Sequence, residues 1–142
     1  MAVTLTAGLA GGVQAAVMGE LGERVGIVPA LAFATLLSTI LAFVLLAIWE
    51  RRLGGIGAAF EQPVWLWLGG LMGLYIVLAI TIAAPRIGVA ATIGLVIAGN
   101  LVMAAAIDRW GLLAQDQIPL TWQRMLGLAL LAAGSALTLT RT

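Results

Sequence analysis

The chain has 142 residues, 63% of them hydrophobic and 9% charged, with a mean hydropathy of +1.14 and a formal net charge of +1. A soluble domain of this composition would lack the polar surface that keeps it dissolved, and so small a net charge leaves no electrostatic footprint for nucleic acid. The absence of Cys and His removes the usual zinc, haem, iron–sulfur and thiol chemistries and the Ser–His and Cys–His nucleophile arrangements, so the chain does not read as an enzyme and no cofactor or metal site is expected.

The charges gather at seams. Neutral stretches run over 1–19, 25–49, 62–85, 87–107 and 125–140. A helix needs about 20 apolar residues to cross the hydrocarbon core, and an ionised side chain at mid-membrane costs roughly 3 kcal/mol on insertion scales. The pattern predicts an all-α membrane protein with five transmembrane helices near 3–22, 28–49, 63–84, 88–107 and 121–140. Together they form a single integral membrane domain over 1–142.

The first span has no basic segment ahead of its apolar run, so it lacks a signal-peptide n-region and is expected to be retained. It carries Gly8, Gly11, Gly12, Ala15, Ala16 and Gly19 at helical spacing, and Gln14 near its middle. Glu20 stands near its end, with Glu23 and Arg24 beyond. A carboxylate there either faces a cavity, where it would bind a cation or carry a proton, or is solvated or paired with Arg24 at i+4; the solvated reading is favoured. The second span has Pro29 in its first turn, where the missing N–H costs nothing. Its hydroxyls Thr35, Ser38 and Thr39 can bond their own helix backbone. The seam 50–62 is too short to fold as a domain.

Pro63 opens the third span, which carries Gly69, Gly70, Gly73 and, near its middle, Tyr75. Pro85 and Arg86, with Gly88, predict a turn of a few residues before the fourth span. That span carries Ala90, Ala91, Thr92, Gly94, Ala98, Gly99 and Asn100. A second seam covers 108–121. In the fifth span Arg124 can snorkel toward the headgroups, followed by Gly127, Ala133 and Gly134. Trp49, Trp65, Trp67, Trp110 and Trp122 all fall at or near predicted helix ends, the depth at which amphipathic rings are enriched.

Small residues at spacing three and four let membrane helices pack closely. The same glycines also permit bending or sliding, and the sequence does not separate the two roles. Polar groups at membrane depth are the best pointers to a site. A Gln or Asn carries donors and acceptors that hydrocarbon cannot satisfy. Gln14, Tyr75 and Asn100 are therefore expected to bind substrate around a shared central cavity, with Trp67 near its rim; interhelical hydrogen bonding is the alternative for both amides. No ionisable residue lies mid-membrane, so proton coupling through a central carboxylate is not supported.

Five spans put the termini on opposite sides. The arginines then divide as Arg51, Arg52, Arg109 and Arg124 against Arg24, Arg86 and Arg141, and the sequence has no Lys. Orientation follows an excess of Lys and Arg on the cytoplasmic side, and this chain has almost none. Either it inserts both ways or another chain fixes it. Many transporters consist of two inverted repeats with the substrate at their interface, and this chain has the size of one such repeat.

The stretch PVWLWLGGLMGLY (63–75), then APRIGVAATIGLVIAGN (84–100), then DRWGLL (108–113) resembles the small five-helix YdcZ-like family of the drug/metabolite transporter superfamily. The resemblance covers most of 8–135, and the helix 1 Gln of the family corresponds to Gln14. Two positions depart from it: the family's helix 4 Gln is Asn100 here, and an Asn usual four residues after the helix 1 Gln is Met18. The resemblance implies a bacterial inner-membrane protein forming one half of a ten-helix inverted-repeat assembly, as an antiparallel homodimer or as a heterodimer with a homologous chain. It implies export or exchange of a small organic solute. The competing expectation is a non-transporting scaffold or an accessory subunit of a heteromeric transporter.

The near-equal arginine split predicts dual orientation. Single cysteines at residues 2 and 142 are expected to label from opposite sides of any one molecule, with both orientations present. Two Lys added to the 50–62 seam are expected to collapse the mixture to one orientation. Labelling of both positions from the same side would mean an even number of crossings.

Overall fold

The computed structural model describes residues 2–49, 54–111 and 121–138, and in them the chain is helical throughout. The helices are α1 (Ala2–Val25), α2 (Ile27–Trp49), a short α3 (Gly54–Phe60), α4 (Leu68–Ile87) entered through a 3₁₀ turn at Val64–Trp67, α5 (Val89–Trp110) and α6 (Trp122–Leu137). Four stretches are long and apolar enough to cross a membrane: Ala2–Val25, Ile27–Trp49, Val64–Ile87 and Val89–Trp110. Over the fifth expected span lies α6, 16 residues or about 24 Å at helical rise, which is shorter than those four stretches, so the expected count of five is not shown. The end of that span, 139–140, lies outside the described residues, as do Arg51, Arg52 and Arg141 of the arginine count.

Two junctions are single glycines. Gly26 has φ +94° and Gly88 has φ +87°, a region open to Gly because it lacks Cβ. Each continues the hydrogen-bond ladder on both sides: Gly26 N–H donates to Gly22 O at 3.0 Å and Gly26 O accepts from Ala30 N at 3.1 Å, with Gly88 linked in the same way to Ala84 and Thr92. Pro29 sits in the first turn of α2, as expected. The turn expected at 85–88 is corrected: α4 runs through Pro85 and Arg86 to Ile87, and only Gly88 breaks it. A proline removes one N–H bond, and apolar surroundings tolerate this when neighbouring turns remain bonded. The helix α3, inside the 50–62 seam, was not expected.

The chain forms two compact units, Met1–Ala16 with Ala83–Thr142, and Val17–Ile82. Their cores are made of small or slender side chains. The first buries Ala15, Ala84, Ala91, Thr92 and Ser135; the second buries Met18, Ala30, Ile80 and Thr81. In the first unit α5 and α6 pack against each other. Ser135, near the end of α6, donates to the carbonyl of Gly94, near the start of α5, at 2.9 Å, which makes the pair antiparallel. A methyl group on Gly94 would lie 3.2 Å from Ser135 Oγ and 3.6 Å from its Cα. In the second unit a methyl on Gly22 would lie 2.7 Å from Thr81 Cγ2. Close backbone approach of this kind is what small residues give helices whose lipid surroundings supply no hydrophobic drive.

Overpacking a close contact typically costs about 1–3 kcal/mol. Gly22→Leu and Gly94→Leu are each expected to lose stability in that range, measured by unfolding of the purified chain in detergent. Gly8→Ala is the control, because a Cβ there meets nothing within 4 Å, and it is expected to be neutral or slightly stabilising.

Candidate functional site

The expected site residues come from three helices and one turn. Gln14 lies mid-way along α1, Tyr75 in α4 and Asn100 mid-way along α5, while Trp67 closes the 3₁₀ turn ahead of α4. All four are exposed on the chain, Tyr75 by 64% and Trp67 by 45%. The hydroxyls behave differently. Thr35 donates to Leu31 O at 2.9 Å and Thr39 to Thr35 O at 2.8 Å. Thr81 donates to Val77 O and Thr92 to Gly88 O, both at 2.8 Å. These side chains spend their single proton on the carbonyl one turn back, as a hydroxyl in a helix can. Gln14, Asn100, Tyr75 and Ser38 of α2 are exposed polar side chains within the long helices.

Trp67 stacks edge-on against Phe60 of α3, ring centroids 5.7 Å apart and planes at 90°, an arrangement the ring quadrupoles favour. Ile56, Ala59, Phe60 and Trp67 line an apolar recess of about 230 Å³. The short α3 thus gives Trp67 a fixed apolar neighbour at the entry to α4. The five tryptophans take the expected places: Trp49 and Trp110 end α2 and α5, Trp122 starts α6, and Trp65 and Trp67 lie in the turn leading into α4.

A second cleft, about 310 Å³, opens between α5 and α6 and is lined by Leu101, Ala104, Ala105, Asp108, Gly127, Leu128 and Leu131. Neither cleft is lined by Gln14, Tyr75 or Asn100. Glu20 is paired: Arg24 Nε donates to its Oε1 at 2.7 Å, with both side chains more than half exposed. That is the i,i+4 helix pair, the bland reading of this carboxylate, and it ties up the group best placed to bind a cation. Sequence reasoning missed Ser135 and Asp108 as contributors to a helix interface. Ser135 sits in a run of Ala and Gly and carried no visible signal; Asp108 lines the cleft between α5 and α6.

A family model described as "Putative inner membrane exporter, YdcZ" matches residues 1–137. No curated protein and no solved structure matches the chain.

An exposed i,i+4 ion pair contributes about 0.5 kcal/mol or less. Glu20→Gln is therefore expected to leave both thermal stability in detergent and any transport activity unchanged. Loss of transport with stability intact would place the Glu20 carboxylate in the solute path.

Proposed function

The chain belongs to the YdcZ family of inner-membrane proteins, and from that premise we propose that it is a secondary transporter, an exporter or exchanger, for a small neutral or amphiphilic organic solute. Its active form is an antiparallel dimer, either of two copies of this chain or of this chain with a homologous one. The solute binds at the interface between the two halves, near mid-membrane. Family membership makes it a multi-pass membrane protein with a transport role.

The observation that carries the dimer and its site is the exposure of Gln14 and Asn100 half-way along helices of spanning length. A primary amide facing hydrocarbon leaves its donors and acceptor unsatisfied, at several kcal/mol per group in the bilayer core. Both amides therefore belong against protein, water or solute, and a second chain supplies that surface. The glycines support the same reading. A Cβ on Gly8, Gly11, Gly12, Gly69, Gly70 or Gly73 would meet nothing within 4 Å, so these small residues are not used in packing within the described part of the chain. Gln14, Asn100 and the Tyr75 hydroxyl offer neutral hydrogen-bonding groups, and Trp67 an aromatic face. That set suits an uncharged solute with polar and apolar parts.

Vesicles containing only this purified chain are expected to show saturable flux with counterflow toward at least one member of a panel of labelled neutral organic solutes. Gln14→Leu and Asn100→Leu are expected to lower that flux at least ten-fold with little loss of folded protein. A merely structural hydrogen bond in a bilayer is worth only about 0.6 kcal/mol, so a packing role predicts near-normal flux. Normal flux in both folded variants would remove these amides from the site, and a non-saturating conductance would make the protein a channel.

A further inference from the structure

The contact between Ser135 and Gly94 can part without orphaning any polar group that makes it. Ser135, near the end of α6, is buried. Its oxygen lies 2.9 Å from Gly94 O across the interface and 2.8 Å from Leu131 O in its own helix. A hydroxyl has a single proton to donate. With that proton on Gly94 O the two helices are tied; with it on Leu131 O the same side chain is served inside α6, as a hydroxyl in a helix can be. The groups beside it are also self-contained. Thr138 Oγ1 donates to Ser135 O at 2.7 Å, and Thr138 N–H donates to Gly134 O and Ser135 O. On the other side Gly94 lies inside α5, five residues past its start at Val89, so its carbonyl also accepts from the N–H four residues on.

The close approach of Gly22 to Thr81 is of another kind. Thr81 donates to Val77 O and turns its methyl carbon toward Gly22, so that contact is packing alone. At Gly94 a polar bond crosses between helices, and its donor has a second acceptor one turn back. Hydrocarbon offers neither donor nor acceptor, so membrane helices hold a polar contact unless both sides can be satisfied elsewhere. Here both can. Exchanging one acceptor for the other keeps the number of bonds constant, which leaves touching and parted helices close in free energy, as a reversible contact requires. Asn100 stands on α5 six residues beyond Gly94, so release of α6 frees the helix that presents this amide.

We propose that Ser135 and Gly94 form a latch between α5 and α6 that opens reversibly, the hydroxyl donating to Gly94 O when closed and to Leu131 O when open, and that this opening is a step in transport. The place in transport rests on the function proposed above. The opening itself does not, and it is measured without a solute.

Spin labels on cysteines at the exposed positions Ala90 and Ala136, with the chain in vesicles, are expected to report two distances by pulsed electron resonance. Ser135→Ala keeps the space and removes the bond. It is expected to shift the ratio about three-fold toward the longer distance, the scale of one hydrogen bond between membrane helices. Coupling to transport is tested with a lock. A Cβ on Gly94 lies 3.5 Å from Ser135 Cβ, within reach of a disulfide. The double variant Gly94→Cys, Ser135→Cys is expected to lose at least ten-fold of its saturable flux when oxidised and to regain it on reduction, while each single variant is indifferent to oxidant. One short distance that Ser135→Ala leaves unchanged overturns the latch. Undiminished flux through the oxidised pair removes it from the transport cycle. Two distances in an unaltered chain that carries no solute support the opening and overturn the transport reading instead.

Discussion

Hydrocarbon has no hydrogen-bond partner to offer, and the rest of this structure follows from that. Each backbone must be satisfied within its own helix or at its ends, and each polar side chain at depth must find protein, water or solute. The short hydroxyls solve the problem locally, on the carbonyl one turn back in α2, α4 and α5. Among the described residues no buried side-chain nitrogen or oxygen lacks a partner. Ser135 goes further. Its oxygen lies within bonding distance of Leu131 O in its own helix and of Gly94 O across the interface, at 2.8 and 2.9 Å. One hydroxyl proton serves both acceptors in turn, so α6 stays satisfied whether or not it touches α5, and the contact itself depends on the missing side chain of Gly94.

The same constraint explains what could be read from the sequence. Charge is nearly forbidden at depth, so its gaps mark the spans directly; α1, α2, α4 and α5 begin and end close to the expected positions. Pro85 misled the reading of the seam between α4 and α5 because a proline disfavours a helix without always ending it. The helix loses one N–H at Pro85 and keeps its neighbouring turns, and the break waits for Gly88 and its positive φ. The helix α3 was illegible for the opposite reason. Its three glycines, Gly54, Gly55 and Gly57, disfavour a helix by propensity, and its Phe60 contact with Trp67 is made across a turn that no local pattern announces.

Of the candidate site, residue types and depths were legible, whereas partners were not. The glycines show why. By sequence Gly8, Gly22, Gly94 and Gly127 are equivalent small residues in apolar runs. In the structure Gly22 faces Thr81 and Gly94 faces Ser135, while a Cβ on Gly8 or Gly127 would meet nothing within 4 Å. The distinction depends on which helices neighbour each other, and periodicity carries no information about that. Gly94 and Ser135 are 41 residues apart. Met18 is 4% exposed. An apolar thioether fits that buried position without the hydrogen-bond partners an amide would need.

Hydropathy then sorts the helices by the surroundings each can tolerate. Of the four long stretches α2 is the most apolar and α1 the least. Within the chain α2 buries only Ala30, and its hydroxyls Thr35 and Thr39 are closed on its own backbone, so these two lose little by facing lipid. The first helix has glycines on its surface and Gln14 among them, and the same exposure to lipid would leave an amide unsatisfied and backbone poorly covered. Of the two, α1 gains more from a protein neighbour.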